Sequence, residues 1–171
     1  MKENKIPSSK KLKASLQHPL KNYQKEIRIN FIYIIALMAG VDGIISGEEL
    51  DYLASLCHCL DITEIDKDKI MESVRCHPEK LSDSLKSFTS DVKFTLIWGI
   101  ITMIYADGLL ASEERDRLND IAQEVDIKPE QLDFIINLMK ESLKRGTFSG
   151  LKEEFHKELT ALKIPAEFIL F

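Results

Sequence analysis

Two long apolar runs dominate the hydrophobic pattern of the chain. The first covers Phe31 to Val41 and the second covers Phe94 to Ala106. Both are apolar nearly all round the helix, which is typical of the central helices of a bundle. We therefore predict core helices at about Tyr23–Ala39 and about Val92–Tyr105. Neither run reaches the roughly 20 apolar residues that span a bilayer, so no transmembrane helix is expected.

An Asp-Gly pair follows each core helix, and an amphipathic helix follows each Asp-Gly pair. Glycine tolerates the positive φ of a tight turn, and aspartate bonds nearby backbone N–H groups. In the first half, Ser46 and Glu49 have the spacing of a capping box at a helix start. The apolar positions are Leu50, Leu53 and Leu56 in the first such helix, and Leu118, Ile121 and Val125 in the second.

The rest of the pattern predicts further helices, and no alternating β-branched stretch predicts a strand. Pro129 suits a first helical turn, because its missing N–H needs no partner there. We expect an all-α fold, a single helical bundle of about seven to eight helices. The further helices are expected at Glu64–Cys76, Glu79–Phe88, Pro129–Lys144 and Gly150–Leu162.

The two halves of the chain repeat each other at one constant offset, the shift that carries Asp42 onto Asp107, and the register needs no gap. Matches that combine glycine, acidic pairs and apolar spacing rarely arise from helical periodicity alone, so we predict an internal duplication. The bundle should then consist of two pseudo-twofold-related helix–DG turn–helix repeats. The matching positions include Asp42-Gly43 with Asp107-Gly108, Glu48-Glu49 with Glu113-Glu114, Met38 with Met103, Asp51 with Asp116, and Asp61-Ile62 with Asp126-Ile127.

The net charge, the cysteine content and the position of the first apolar run indicate which partners and which cellular compartment to expect. The net charge of −5 gives no electrostatic footprint for phosphate backbones, so nucleic acid is not an expected partner. The 3 cysteines, an odd number, fit reduced thiols better than a disulfide framework. The first apolar run begins only near Ile27, which does not resemble a secretory signal. We expect a soluble, cytoplasmic protein.

The chain divides into a basic N-terminal tail at 1–18, a helical domain at 19–163 and an apolar C-terminal tail at 164–171. The N-terminal tail holds five lysines and lacks apolar periodicity, as solvated termini commonly do. The C-terminal tail ends in Phe-Ile-Leu-Phe after Pro165. Two interpretations stay open for it: it folds back onto the bundle, or it anchors in a partner groove or a second copy, giving a homo-oligomer.

The repeated acidic turns are the candidate metal site. Calcium and magnesium bind carboxylate and carbonyl oxygens, and the duplicated acids exceed what capping requires. A standard EF-hand does not fit, because Met38 and Gly40 would stand at its first two ligand positions. The alternative is that the acids only cap turns and helices. The candidate ligands are Asp42, Glu49, Asp107 and Glu114.

Zinc binding and catalysis are less favoured. Cys57, His58 and Cys59 lack the usual C-x-x-C spacing, and residues two apart on a helix point about 200° apart. Small buried cysteines are the simpler interpretation. No P-loop, dinucleotide fingerprint, H-E-x-x-H motif or local nucleophile signature occurs, so we do not expect an enzyme.

The M-x-x-x-D-G-x-x-x-x-E-E pattern, at Met38 to Glu49 and again at Met103 to Glu114, resembles the TerB-like family. That family includes tellurite-resistance TerB proteins and a domain of the DjlA co-chaperones. The resemblance covers about Tyr23 to Leu143. It implies a compact helical bundle whose acidic turns form a metal-binding surface, associated with stress response or membrane-linked protein assemblies. The ligands it carries over are Asp42, Glu49, Asp107 and Glu114.

The function that we predict from the sequence is a non-enzymatic, TerB-like protein-interaction module. Its expected partner is a protein. The resemblance implies that this partner belongs to a membrane-associated assembly. A divalent cation, calcium or magnesium before zinc, is the expected cofactor. The alternative function is a metal-binding stress or tellurite-resistance protein, in which ion binding is itself the activity.

Overall fold

The computed structural model describes residues 18–40, 45–76, 85–105 and 112–169. Within those ranges the chain forms eight α-helices and no strand, which confirms the predicted all-α class. Two short 3₁₀ turns, η1 at Pro19–Asn22 and η2 at Ala166–Phe168, lie near the two ends. The helices are α1 (Lys25–Ala39), α2 (Gly47–Cys59), α3 (Glu64–Cys76), α4 (Ser90–Ile104), α5 (Ser112–Glu124), α6 (Pro129–Arg145), α7 (Leu151–Glu154) and α8 (His156–Ala161).

Helices α1 and α4 are the two predicted core helices, and they pack directly against each other. They pack tightly at Gly99 of α4. A Cβ there would lie 2.9 Å from Cδ1 of Ile35 and 3.3 Å from Cζ of Phe31, both on α1. A side chain at this position would push the two helices apart, so glycine permits their close packing.

The other helices surround this central pair. Helices α2 and α3 pack on α1, whereas α5 and α6 pack on α4. Each half also contacts the central helix of the other half, since α2 packs on α4 and α5 packs on α1. Between α2 and α4, the buried Tyr52 side chain hydrogen-bonds Thr102, and burial raises the pKa of the Tyr52 phenol. The core is therefore continuous across both halves.

The bounds of four helices follow the offset of the predicted sequence repeat. The shift that carries Asp42 onto Asp107 also carries both ends of α1 onto those of α4, and both ends of α2 onto those of α5. Both α2 and α5 are followed by an aspartate with positive φ, at 51° for Asp61 and 59° for Asp126. Ile62 and Ile127 then donate their N–H to the carbonyl five residues earlier, at 2.9 and 2.8 Å. This pattern is a Schellman-type helix ending.

His18 anchors the N-terminal end of the described chain. It was placed last in the predicted tail, but it is 3% exposed. Its Nδ1 accepts the Leu20 N–H at 3.2 Å, and its ring meets Phe31 edge to face. Tyr23 donates its N–H to Leu20 and ends η1, so α1 begins at Lys25 rather than at Tyr23. Residues 1–17 lie outside the described ranges.

The C-terminal segment packs on the bundle as far as the structure describes it. Ile164 and Ile169 are buried in the core, and η2 contacts α4. Ile164 and Ile169 thus pack against other residues of the same chain, whereas Leu170 and Phe171 are not described.

The last predicted helices differ in detail from the pattern. The helix expected at Gly150–Leu162 is interrupted at Phe155, whose backbone (φ −99°, ψ 18°) departs from helical values while its ring packs on Phe134. Phe155 donates its N–H to Leu151 and accepts the N–H of Leu159, so α7 ends and α8 begins at this residue. The helix expected at Glu79–Phe88 falls largely in 77–84, outside the described residues.

Candidate functional site

The acidic turns are only partly described. Asp42 and Asp107 fall in the ranges 41–44 and 106–111, which the structure leaves out. Glu114 lies in the first turn of α5 and is half-buried. In the part of the chain that is described, no group of three or more His, Cys, Asp or Glu side chains could hold a metal ion. The cation site at Asp42, Glu49, Asp107 and Glu114 stays a prediction.

Glu49 has a structural role that the sequence predicted. Its Oε2 accepts the Ser46 N–H at 2.7 Å, while Ser46 Oγ accepts the Glu49 N–H at 3.1 Å. This is the expected capping box at the start of α2. Glu49 is only 8% exposed, so its carboxylate is held against the backbone rather than presented to solvent. A cation bound at Glu49 would have to share this carboxylate with the helix start.

The cysteines do not form a common site in the described residues. Cys57 and Cys59 are buried, whereas Cys76 is exposed at the end of α3. Burial raises the pKa of the Cys57 thiol to about 11, which keeps it protonated at neutral pH. Thiolate is the form that binds zinc, so this environment suits a packing role. His58 is exposed, and His77 lies outside the described ranges.

The most distinctive surface feature is an apolar groove between α2 and α3. The α2 side of the groove is lined by Leu50, Ala54 and Cys57, whose spacing places them on one face of the helix. Leu50 is 46% exposed, although the sequence pattern grouped it with the buried Leu53 and Leu56. The cavity measures about 270 Å³. Its lining is Ile32, Leu50, Asp51, Leu53, Ala54, Cys57, Lys67, Ile70 and Met71.

The corresponding groove in the second half, between α5 and α6, is larger, and more of its lining residues are polar or charged. Its cavity measures about 800 Å³. Arg115 of α5 and Asp133 of α6 form an ion pair across it, with N and O atoms 2.6 Å apart. Lys93 of α4 lies 4.0 Å from Asp126, a residue of the lining. The lining is Arg115, Asn119, Ala122, Gln123, Asp126, Ile127, Lys128, Pro129, Leu132 and Asp133.

The two grooves carry different side chains at equivalent positions. In the register of the repeat, Leu50 is equivalent to Arg115 and Ala54 is equivalent to Asn119. The first groove therefore has aliphatic side chains where the second has a cation and an amide. Arg115 and Asp133 of the second groove satisfy each other, whereas Leu50 of the first groove is not part of the described core. Sequence reasoning did not identify Leu50 as a functional residue, although its mismatch with Arg115 was visible in the repeat.

Comparisons of the chain with protein-family models, curated proteins and solved structures find no match. The TerB-like resemblance accordingly stays a prediction based on the repeated motif. In the described ranges, no helix has the length and hydrophobicity required to cross a membrane.

Proposed function

We propose that this chain is a non-enzymatic, TerB-like interaction module that binds the apolar face of a protein partner in the α2–α3 groove. The observation that carries the proposal is Leu50. It is a large aliphatic side chain, 46% exposed, at the edge of a groove lined mainly by apolar residues. Contiguous exposed apolar surface with polar residues at its rim is characteristic of protein-binding sites.

The proposal includes the internal duplication of the chain. It is supported by one sequence offset, which relates the helix bounds, the helix endings and the glutamate pairs of the first half to those of the second. The packing of the helices supports it too, because exchanging the halves turns the α2–α4 contact into the α5–α1 contact. Under this proposal, the two grooves derive from one ancestral groove, and only the first has kept or acquired an apolar edge.

A helix is the segment that such a groove accommodates best. Two neighbouring helices leave a furrow into which a third helix packs with apolar side chains at i, i+3, i+4 and i+7. Burying Leu50 and the aliphatic parts of Ala54 and Met71 gives a few kcal/mol, from about 0.8 kcal/mol per buried CH₂. A micromolar Kd corresponds to about 8 kcal/mol, so burial of the partner's own apolar side chains has to supply the rest and to offset the cost of immobilising the partner.

The test uses defined peptides in place of the unidentified partner. A fluorescent amphipathic peptide of about 16 residues, roughly four helical turns, carries leucine on one face and glutamine elsewhere. Its anisotropy is titrated with the full chain and with Leu50→Arg, which introduces the residue that stands at the equivalent position of α5. We expect the variant to bind at least about tenfold more weakly, because a charge replaces the apolar edge.

Asp120→Arg is the matched control, since it adds arginine at an exposed position of α5. It should bind the peptide like the wild type, and both variants should unfold within about 0.5 kcal/mol of it. No binding by the wild type, or equal binding by Leu50→Arg, would overturn the proposal.

The alternative proposal is a metal-binding stress or tellurite-resistance protein. It is supported by the repetition of Asp42 and Glu49 at Asp107 and Glu114, and by the motif resemblance. Calorimetry of the chelator-treated protein with calcium, magnesium and zinc distinguishes it from the interaction module.

A further inference from the structure

We infer that the helix received by the α2–α3 groove is basic as well as amphipathic, with a lysine or arginine that pairs with Asp68 and a second near Asp51. This inference rests on the proposed function and specifies its partner. The geometry that supports it is the contrast between the two grooves. The apolar edge selects for leucine-like side chains. Asp51 of the lining, and Asp68, which lies on α3 between the lining residues Lys67 and Ile70, select the charge of the flanking positions.

The second groove shows which group belongs opposite Asp68. Asp133, its equivalent in the repeat, is paired across its groove with Arg115 at 2.6 Å. The position equivalent to Arg115 is Leu50, which cannot supply a cation to Asp68. Asp68 is exposed and has no ion pair among the described residues. A basic side chain from a bound helix would restore the ion pair that the second half makes internally.

The remaining charges around the first groove also favour a basic partner. Helix α2 contains three acidic residues and neither lysine nor arginine. Asp51 lines the groove and is exposed. Lys67, the cation in the lining, is paired with Glu64 at 2.7 Å. Lys67 also interacts electrostatically with Asp68, whereas Asp51 has no ion pair among the described residues. An acidic helix would meet the Asp51 carboxylate, and like charges at an interface are costly.

A charge series of peptides tests the inference. Three peptides share the same leucine positions and carry lysine, glutamine or glutamate at the flanking positions. Two exposed ion pairs strengthen binding by about 3- to 10-fold, so the lysine peptide should bind that much more tightly than the glutamine peptide. The glutamate peptide should bind most weakly, and high salt should bring the three affinities together.

Asp51→Asn/Asp68→Asn should remove the advantage of the lysine peptide and leave the glutamine peptide unchanged. Asp116→Asn/Asp120→Asn is the matched control, because it removes two exposed carboxylates from α5 and should preserve the advantage. An equal effect of both pairs would mean that only net charge matters, and it would overturn the inference.

The outcomes separate this inference from the proposed function. If all three peptides bind equally and Leu50→Arg weakens each one, the interaction module stands and the basic partner is wrong. If no peptide binds, the module itself is wrong.

The basic segment at residues 1–17 is a competing occupant, because it combines lysines with Leu12 and Leu16. The full-length variant Lys10→Gln/Lys11→Gln/Lys13→Gln tests it. Unchanged affinity for the lysine peptide supports an external partner. An affinity that appears only in this variant would show that the chain fills its own groove, and it would overturn the inference.

Discussion

A methyl group at Gly99 would lie 2.9 Å from Cδ1 of Ile35, so a side chain at Gly99 would crowd Ile35 on the facing helix. Two effects oppose each other in Gly99→Ala. Alanine gains about 1 kcal/mol of helix propensity, whereas overpacking in a well-packed core costs about 1–3 kcal/mol. Because Ile35 is fully buried and cannot swing into solvent, overpacking should win. We expect a net loss of about 1 kcal/mol in urea unfolding.

A double-mutant cycle identifies the contact responsible. Ile35→Val removes Cδ1, the atom nearest to the new methyl group. It should therefore lower the free energy of unfolding less in the Gly99→Ala background than in the wild type. The coupling energy should be of the order of 1 kcal/mol. Additive effects of the two substitutions would show that another contact, such as that with Phe31, determines the spacing.

Acid should destabilise the fold through His18. Burial lowers the pKa of His18 from 6.5 to about 4, and its Nδ1 accepts the Leu20 N–H, so protonation places two N–H groups against each other. The unfolded chain binds this proton more readily than the folded chain. Stability is therefore full above about pH 6.5 and is lost as the pH falls towards about 4. This pKa shift corresponds to a loss of at most about 3 kcal/mol in the free energy of unfolding.

His18→Asn separates this effect from the protonation of other groups. Asparagine keeps a capping oxygen but does not titrate in this range. Urea unfolding at a series of pH values should show a smaller loss of stability for the variant between about pH 6.5 and 4.5. Parallel pH profiles for the two proteins would contradict the assignment to His18.

The capping box predicts unequal roles for two adjacent glutamates. Glu49 accepts the Ser46 N–H and is buried, whereas Glu48 is exposed. Glu49→Ala should lower the free energy of unfolding by about 1 kcal/mol, which is the usual cost of losing a helix cap. Glu48→Ala is the neighbouring control and should remain within about 0.5 kcal/mol of the wild type. Equal losses would point to helix-dipole electrostatics rather than to the cap.

The interaction module and the metal-dependent protein predict different calorimetry for Asp42→Asn/Asp107→Asn. For the module, we expect this variant to fold and to bind the leucine peptide with unchanged affinity, because the proposal places peptide binding at Leu50, Ala54 and Met71. Titrating the chelator-treated wild type with calcium, magnesium and zinc provides the comparison. Micromolar ion binding that the variant loses, together with weaker peptide binding, would favour the metal-dependent alternative.

The sequence predicted the elements whose signals are local. The capping box at Ser46 and Glu49, the buried helices α1 and α4, and the start of α6 at Pro129 follow from spacing, hydrophobicity and proline geometry. The break at Phe155 was not predicted, since it accompanies packing against Phe134, which is distant in sequence.

The candidate site was harder to predict, because periodicity does not report exposure. Leu50 fits the apolar stripe of α2 as well as Leu53 does, yet only the packing of α3 decides which of them is covered. The sequence likewise predicts His18 as part of a tail, since nothing local shows that its ring packs on Phe31 and accepts the Leu20 N–H. The acidic turns remain a prediction because Asp42 and Asp107 lie outside the described residues.

The position of Trp98 provides a spectroscopic probe for all of these experiments. It is the only tryptophan of the chain, it is 4% exposed on α4, and its indole packs edge to face on Phe148. Neither residue lines either groove. Intrinsic fluorescence thus reports the integrity of the core from a single site, without a signal from the peptide interface. Blue-shifted emission that peptide titration leaves unchanged would show, in the same cuvette, that a variant with weak binding is still folded.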